Sequence, residues 1–143
     1  MSRDPGMGAG AGSSAPAVQA VHVVTLQDET EAGIVLLARS LGYECFRTDL
    51  SAAYDKAGLL EKTAAAMSFP GWFGQNWDAW FDCLTDFGWH PKATGYVLII
   101  RHALELKRAA PEAFDTALAI LDDAARVWGN RGIVFRAFVD VHP

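Results

Sequence analysis

The chain has 143 residues, of which 51% are hydrophobic, 11% aromatic and 20% charged. That length predicts one compact domain with its own core, and the composition excludes a disordered chain, a collagen and a low-complexity polymer. Seventeen acids against twelve bases give a formal charge of −5. An ordinary nucleic-acid binder needs a surplus of Lys and Arg to displace counterions, so none is expected here, whereas a basic protein partner fits.

Residues 1–17 are dominated by Gly, Ala, Ser and Pro and read as a disordered tail. The folded part is expected over 18–143. Val21, Val23, Val24 and Leu26 suggest a first strand. Ile34, Leu37, Ala38 and Leu41 then recur at helical spacing, with Gly42 as a stop. Glu44 to Thr48 alternates as a strand, and Tyr54 to Met67 reads as a helix with Leu59, Leu60, Thr63 and Met67 along one side. Pro70 and Gly71 end that helix region. Asn76 caps the next helix, which runs to about Phe87. Gly95 to Arg101 holds a continuous apolar run expected of a strand covered on both faces. A short helix over His102 to Arg108, a long one from Pro111 to near Trp128, and a strand over Ile133 to Val139 complete the chain. Strands alternating with helices predict an α/β fold with about four mainly parallel strands.

Two cysteines, Cys45 and Cys83, make neither a disulfide framework nor a zinc spacing. Cys83, beside Trp80 and Leu84, reads as a buried free thiol. The apolar stretches at 33–38 and 96–100 are too short to span a bilayer. No basic region followed by an apolar run opens the chain, so a cytoplasmic location without a secretory signal is expected.

The acidity is localised. No base lies between Lys62 and Lys92, where the acids are Asp78, Asp82 and Asp86; none lies between Arg108 and Arg126, where the acids are Glu112, Asp115, Asp122 and Asp123. Solvated helix faces usually look like this, but so does a patch that attracts a cationic partner. On the helix after Asn76, Trp80, Cys83, Leu84 and Phe87 share the core side. Asp78, Asp82 and Thr85 point the opposite way, with Phe81 and Asp86 beside them. Like charges four residues apart oppose helix formation, and Asp86 sits at the negative end of the dipole. Such local costs are expected where an external partner supplies the missing charge. Residues 69–89 also carry Phe69, Trp72, Phe73, Trp77, Trp80, Phe81, Phe87 and Trp89. One helix cannot bury them all, so Trp72, Trp77 and Phe81 are assigned mainly to a contact surface.

The run Phe69-Pro70-Gly71-Trp72-Phe73-Gly74-Gln75-Asn76-Trp77-Asp78-Ala79-Trp80-Phe81-Asp82-Cys83-Leu84-Thr85 resembles the signature of the barstar family. The resemblance covers about 43–139 and leaves 18–42 as an extra N-terminal β–α unit. It implies an intracellular inhibitor of a barnase-type ribonuclease, with an antitoxin or immunity role, that plugs the basic catalytic groove with an acidic helix and the adjacent loop. It implies further that Asp78 and Asp82 are the acidic contacts, with Asp82 in the phosphate pocket against Arg and His of the enzyme. Trp72 would stack on the catalytic His, and Gly74 and Asn76 would line the interface, Asn76 chiefly as a cap. Trp77 belongs to the same surface. Phe81 replaces a Trp of the family, Asp86 a Gly and Phe87 a Trp. On the long helix Asp123 matches a family Glu, with Asp122 as the alternative one residue away. The next acidic position of the family falls near Arg126 or Val127.

The residues agree with that mechanism. Carboxylates on a rigid helix can stand in for phosphates and accept charge-assisted hydrogen bonds from Arg. Two rivals remain. Asp78 and Asp82 could hold a divalent cation in an enzyme, but no nucleophile elbow, Walker loop or dinucleotide fingerprint appears, and His90 lies in a Trp-His-Pro turn. An acidic binding module for a partner other than a ribonuclease is the other alternative. The reading is a non-enzymatic inhibitor that uses no cofactor, nucleic acid or membrane.

Overall fold

The computed structural model describes residues 19–70, 74–86 and 93–143. The expected tail at 1–17 and the residues Trp72, Phe73, Phe87, Trp89 and His90 lie outside the described residues. The elements, in chain order, are β1 (Val21–Val24), α1 (Asp28–Ser40), β2 (Glu44–Asp49), α2 (Lys56–Met67), α3 (Trp77–Thr85), β3 (Gly95–Arg101), α4 (Leu104–Ala109), α5 (Pro111–Asn130) and β4 (Val134–Asp140). The four strands form one parallel sheet in the order β1-β4-β3-β2. An α/β fold with a parallel sheet is what the alternating patterns predict.

The order explains where the helices lie. From β2 to β3 to β4 the chain steps across the sheet in one direction; from β1 to β2 it crosses in the other. Parallel crossovers are right-handed, so reversing the direction of travel sends the connecting helix to the opposite face. The helices α2 to α5 therefore pack on one face and α1 alone on the other. The larger core joins Phe46, Tyr96, Leu98, Ile100, Phe135 and Ala137 of the sheet to Leu60, Met67, Trp80, Leu84, Phe114 and Leu121 of the helices. The smaller core joins Val97 and Ile99 to Leu26, Val35 and Ala38. With side chains pointing alternately into two cores, Gly95 to Ile100 is buried throughout, as its unbroken apolar run predicts.

Helix α2 buries Leu59, Leu60, Thr63 and Met67, the row read from the sequence. Asp55 caps it by accepting the Gly58 N–H at 2.8 Å. Helix α1 departs from expectation. It begins at Asp28 and buries Glu31, Val35 and Ala38, whereas Leu37 and Leu41 stand 61% and 52% exposed. The reason is Glu31. Its carboxylate is drawn inward by Arg101 and Arg47, and this rotates the row containing Val35 and Ala38 onto the sheet.

That ion cluster joins the N-terminal β–α unit to the rest of the chain. Arg101, at the end of β3, pairs with Glu31, with Asp140 at 3.0 Å and with Asp28 at 3.3 Å, and donates to the Leu26 carbonyl at 3.3 Å. Asp140 is fully buried. Its Oδ1 accepts the Leu26 and His142 N–H groups at 2.9 and 3.0 Å, and its Oδ2 accepts from the Arg101 Nε and the His102 N–H. Burial pushes the Asp140 carboxyl up, but these hydrogen bonds outweigh burial and hold it below the ordinary carboxylate range. Arg101 thus holds both buried carboxylates in place, and the His102 N–H helps to fix Asp140.

Candidate protein-binding site

The acidic helix is fixed at both ends. Asn76 Oδ1 accepts the Ala79 N–H at 2.8 Å, and Asn76 Nδ2 donates to the Gly74 carbonyl at 3.4 Å. Gln75 between them has a positive φ of 53°. Asn76 therefore acts as the cap that the sequence assigns it, which sets where the first turn and Asp78 point. At the far end the carbonyls of Leu84 and Thr85 lack helical partners. Trp128 Nε1 donates to the first and an Arg131 guanidinium N–H to the second, both at 2.8 Å, with Arg131 stacked over the Trp128 ring. Both donors come from the end of α5 or the residue after it, so α3 is held against α5. Arg131 also brings positive charge to the negative end of the α3 dipole, which offsets part of the cost of placing acids there.

The inner side of α3 is anchored deeply. Trp80 is fully buried and its Nε1 donates to Thr63 Oγ1 at 2.8 Å; that hydroxyl donates in turn to the Leu59 carbonyl. Cys83 is a buried free thiol, raised by burial and by the nearby charges of Asp82 and Asp86. Thr85 differs from its expected place beside the acids: it is buried. Its hydroxyl donates back to the Phe81 carbonyl at 2.9 Å and its own carbonyl takes Arg131, so the end of α5 covers it.

On the outer side, Trp77, Asp78, Phe81, Asp82, Ile120 and Asp123 line an open cleft of about 330 Å³ between α3 and α5. Asp78 and Asp82 are exposed, and neither forms a salt bridge or side-chain hydrogen bond among the described residues. Trp77 and Phe81 are half-buried: each rests one side on the large core and presents the other to the cleft. Trp77 packs edge-on against Trp80 with ring centroids 5.6 Å apart. The cleft thus combines rigid aromatic walls with two carboxylates one helical turn apart. It is shaped to accept cationic groups with flat apolar faces, as a guanidinium has.

Five of the residues assigned to binding from the sequence meet in this cleft: Trp77, Asp78, Phe81, Asp82 and Asp123. Gly74 and Asn76 lie just before α3 and Asp86 forms its C-cap, so these three flank the cleft. Trp72 and Phe87 lie outside the described residues. Of the alternatives on α5, Asp123 lines the cleft. Three features go beyond what the sequence pattern assigns. Ile120 lines the floor, and Lys56 of α2 sits 5.3 Å from the centre of the Trp77 ring. Arg126 pairs with both Asp122 and Asp123. The Arg126 pairing is visible as i, i+3 and i, i+4 spacing; the other two need the folded arrangement of separate elements. Among the described residues no group of three His, Cys, Asp or Glu side chains converges to hold a metal ion, and no helix is long and apolar enough to cross a membrane.

The chain is thus an α/β domain whose helix α3 presents exposed acids beside half-buried aromatics. The sequence model of the family described as "Barstar (barnase inhibitor)" matches residues 43–140, and the chain belongs to the barstar family. The matched span runs from β2 to β4; β1 and α1 precede it. Comparison with curated proteins finds no match.

Proposed function

We propose that this protein inhibits a barnase-type ribonuclease in the cytoplasm of the cell that makes both, as an antitoxin or immunity protein, by plugging the enzyme's basic groove. The observation that carries this reading is the exposed pair Asp78 and Asp82, without counter-charge among the described residues and set one turn apart beside Trp77 and Phe81. Family membership supplies the partner class.

A ribonuclease groove is lined by Arg, Lys and His that bind phosphates. Asp82 enters that groove as a phosphate substitute and accepts paired hydrogen bonds from Arg. Asp78 provides a second contact one turn earlier. Trp72 covers the catalytic His, and Gly74 and Asn76 set the approach of that loop. Phe81 extends the contact along α3, Asp86 and Phe87 add to it, and Asp123 faces the rim from α5. The long-range acidic field speeds encounter, whereas the desolvated ion pairs and aromatic contacts slow dissociation. The protein carries out no reaction of its own and uses no cofactor. The extra β–α unit belongs to the same folded domain as the family-matched span.

The test is calorimetric titration of a catalytically disabled barnase-type ribonuclease into the protein at low and moderate salt. The expected result is tight 1:1 binding that weakens with salt and is lost in Asp82→Ala. Absence of binding would assign the acidic face to another basic protein, to be sought by pull-down with Asp82→Ala as the control.

A further inference from the structure

The exposed side of α1 lies on the face of the sheet opposite the acidic cleft. The large hydrophobic side chains exposed among the described residues are Val23, Leu36, Leu37, Leu41 and Tyr54, and three of the five are on α1 or at its end. Leu36 and Leu37 are 68% and 61% exposed, more than the other three. At 100° per residue, Glu29, Gly33, Leu36, Leu37 and Ser40 form one outward strip, away from the buried row of Glu31, Val35 and Ala38. A Cβ built on Gly33 would meet nothing within 4 Å. The strip therefore has a shallow notch at its middle, with leucines beside it.

The charges of α1 identify what fits there. Asp28 and Glu29 lie in its first turn and Arg39 in its last. Glu29 and Arg39 make no salt bridge among the described residues. Glu29 stands at one end of the strip and Arg39, about 60° round the helix from Leu36, flanks its other end, so the surface is complementary to itself when turned end for end. A two-fold axis level with Gly33 to Leu36 would bring Leu36 and Leu37 of each copy to the notch of the other. It would also bring the Glu29 of each copy to the other's Arg39, with the two helix dipoles opposed. A parallel arrangement would place Arg39 against Arg39 and lose all of this.

We infer that α1 is a homodimer interface, paired antiparallel with α1 of a second copy. The inference does not depend on the ribonuclease reading. Because α1 and the acidic cleft are on opposite faces of the sheet, both clefts of the dimer remain open.

The experiment is sedimentation velocity and equilibrium of the full chain over a wide concentration range. The wild type is expected to dimerise reversibly. Leu37→Glu, at an exposed position where the fold is not at stake, is expected to be monomeric over the same range. Arg39→Glu is expected to weaken the dimer about tenfold or more, and adding Glu29→Arg to that variant is expected to restore it, since charge pairing rather than packing would then be repaired. A wild-type monomer at all concentrations would overturn the inference and leave the strip to another segment or another protein. A dimer that survives Leu37→Glu, or that the double charge exchange fails to restore, would place the interface elsewhere.

Discussion

The same chemistry, carboxylates near guanidinium groups, has opposite uses at two places in this molecule. At the carboxyl end of the sheet, Asp140 and Glu31 are buried and every partner they need comes from within the chain: Arg101, Arg47 and three backbone N–H groups. On α3, Asp78 and Asp82 are exposed and the described chain offers them no cation. A buried carboxylate has to be satisfied internally because water cannot reach it. An exposed one can remain unpaired in water and be paired later by a partner. Acidic composition alone does not separate the two cases. The separation lies in which carboxylates already have donors.

That contrast sets the sizes of the effects. Arg101→Met should remove the largest amount of stability, since it leaves Asp140 and Glu31 buried without their main cation. Breaking a buried ion pair costs about 3–5 kcal/mol, and urea denaturation should show a loss of that order. Ribonuclease binding per folded molecule should be retained. Asp82→Ala should do the reverse. Removing one member of a desolvated interfacial pair costs about 3 kcal/mol or more, which is at least ~100-fold in Kd. Stability should be unchanged or should rise by about 0.2–0.5 kcal/mol as the repulsion with Asp78 is relieved. If Asp82→Ala lowered stability and left binding intact, the two regions would not differ in the way described.

Acid should affect the two regions differently as well. The folded-state pKa of Asp140 is depressed, because the Arg101, Leu26, His102 and His142 donors outweigh burial. A depressed carboxylate contributes stability that is fully present above its ordinary value of about 3.9 and is lost as pH falls through its folded value. The urea midpoint of the wild type should therefore drop steeply below about pH 4. Asp140→Asn should be less stable at neutral pH and should show a shallower acid slope.

Much of this arrangement is legible in the sequence, where the determinants are local. The unbroken run from Tyr96 to Ile100 marks the central strand, the row Leu59, Leu60, Thr63 and Met67 marks the inner side of α2, and Asn76 marks the start of α3. The residues that meet in the cleft from α3 share one helical periodicity, so the spacing of Trp77, Asp78, Phe81 and Asp82 is enough to group them. What the sequence hides depends on partners far along the chain. Arg101 lies 70 residues from Glu31 and 39 from Asp140. Without that contact, the apolar repeat at Ile34, Leu37, Ala38 and Leu41 is only half right for the inner face of α1: Ile34 and Ala38 pack on the smaller core, whereas Leu37 and Leu41 face outward. Helical spacing misplaces Thr85 for the same reason, since the Arg131 and Trp128 that cover it arrive from the end of α5. The strand order likewise depends on α1 crossing the opposite face, which no local pattern encodes.

Arg126 tests the contrast at its boundary, because it pairs acids that belong to the exposed region. Asp122 and Asp123 both contact its guanidinium, although all three side chains are about half exposed or more. Solvent screens such pairs, so Arg126→Ala should change stability by no more than about 0.5 kcal/mol. The effect on binding should have the opposite sign to that of Asp82→Ala. With Arg126 gone, Asp123 in the cleft loses its competing cation and becomes available to a partner. Its charge then adds to the field of Asp78 and Asp82 on the same cleft. Association with a basic ribonuclease should become faster, with affinity gained by up to about tenfold at low salt and little at high salt, where a Debye length of about 8 Å or less screens the rim. Stopped-flow association rates at two ionic strengths measure this directly. A slower association in Arg126→Ala would mean that Arg126 contacts an acid on the partner, and that the α5 rim matches its partner through both signs of charge.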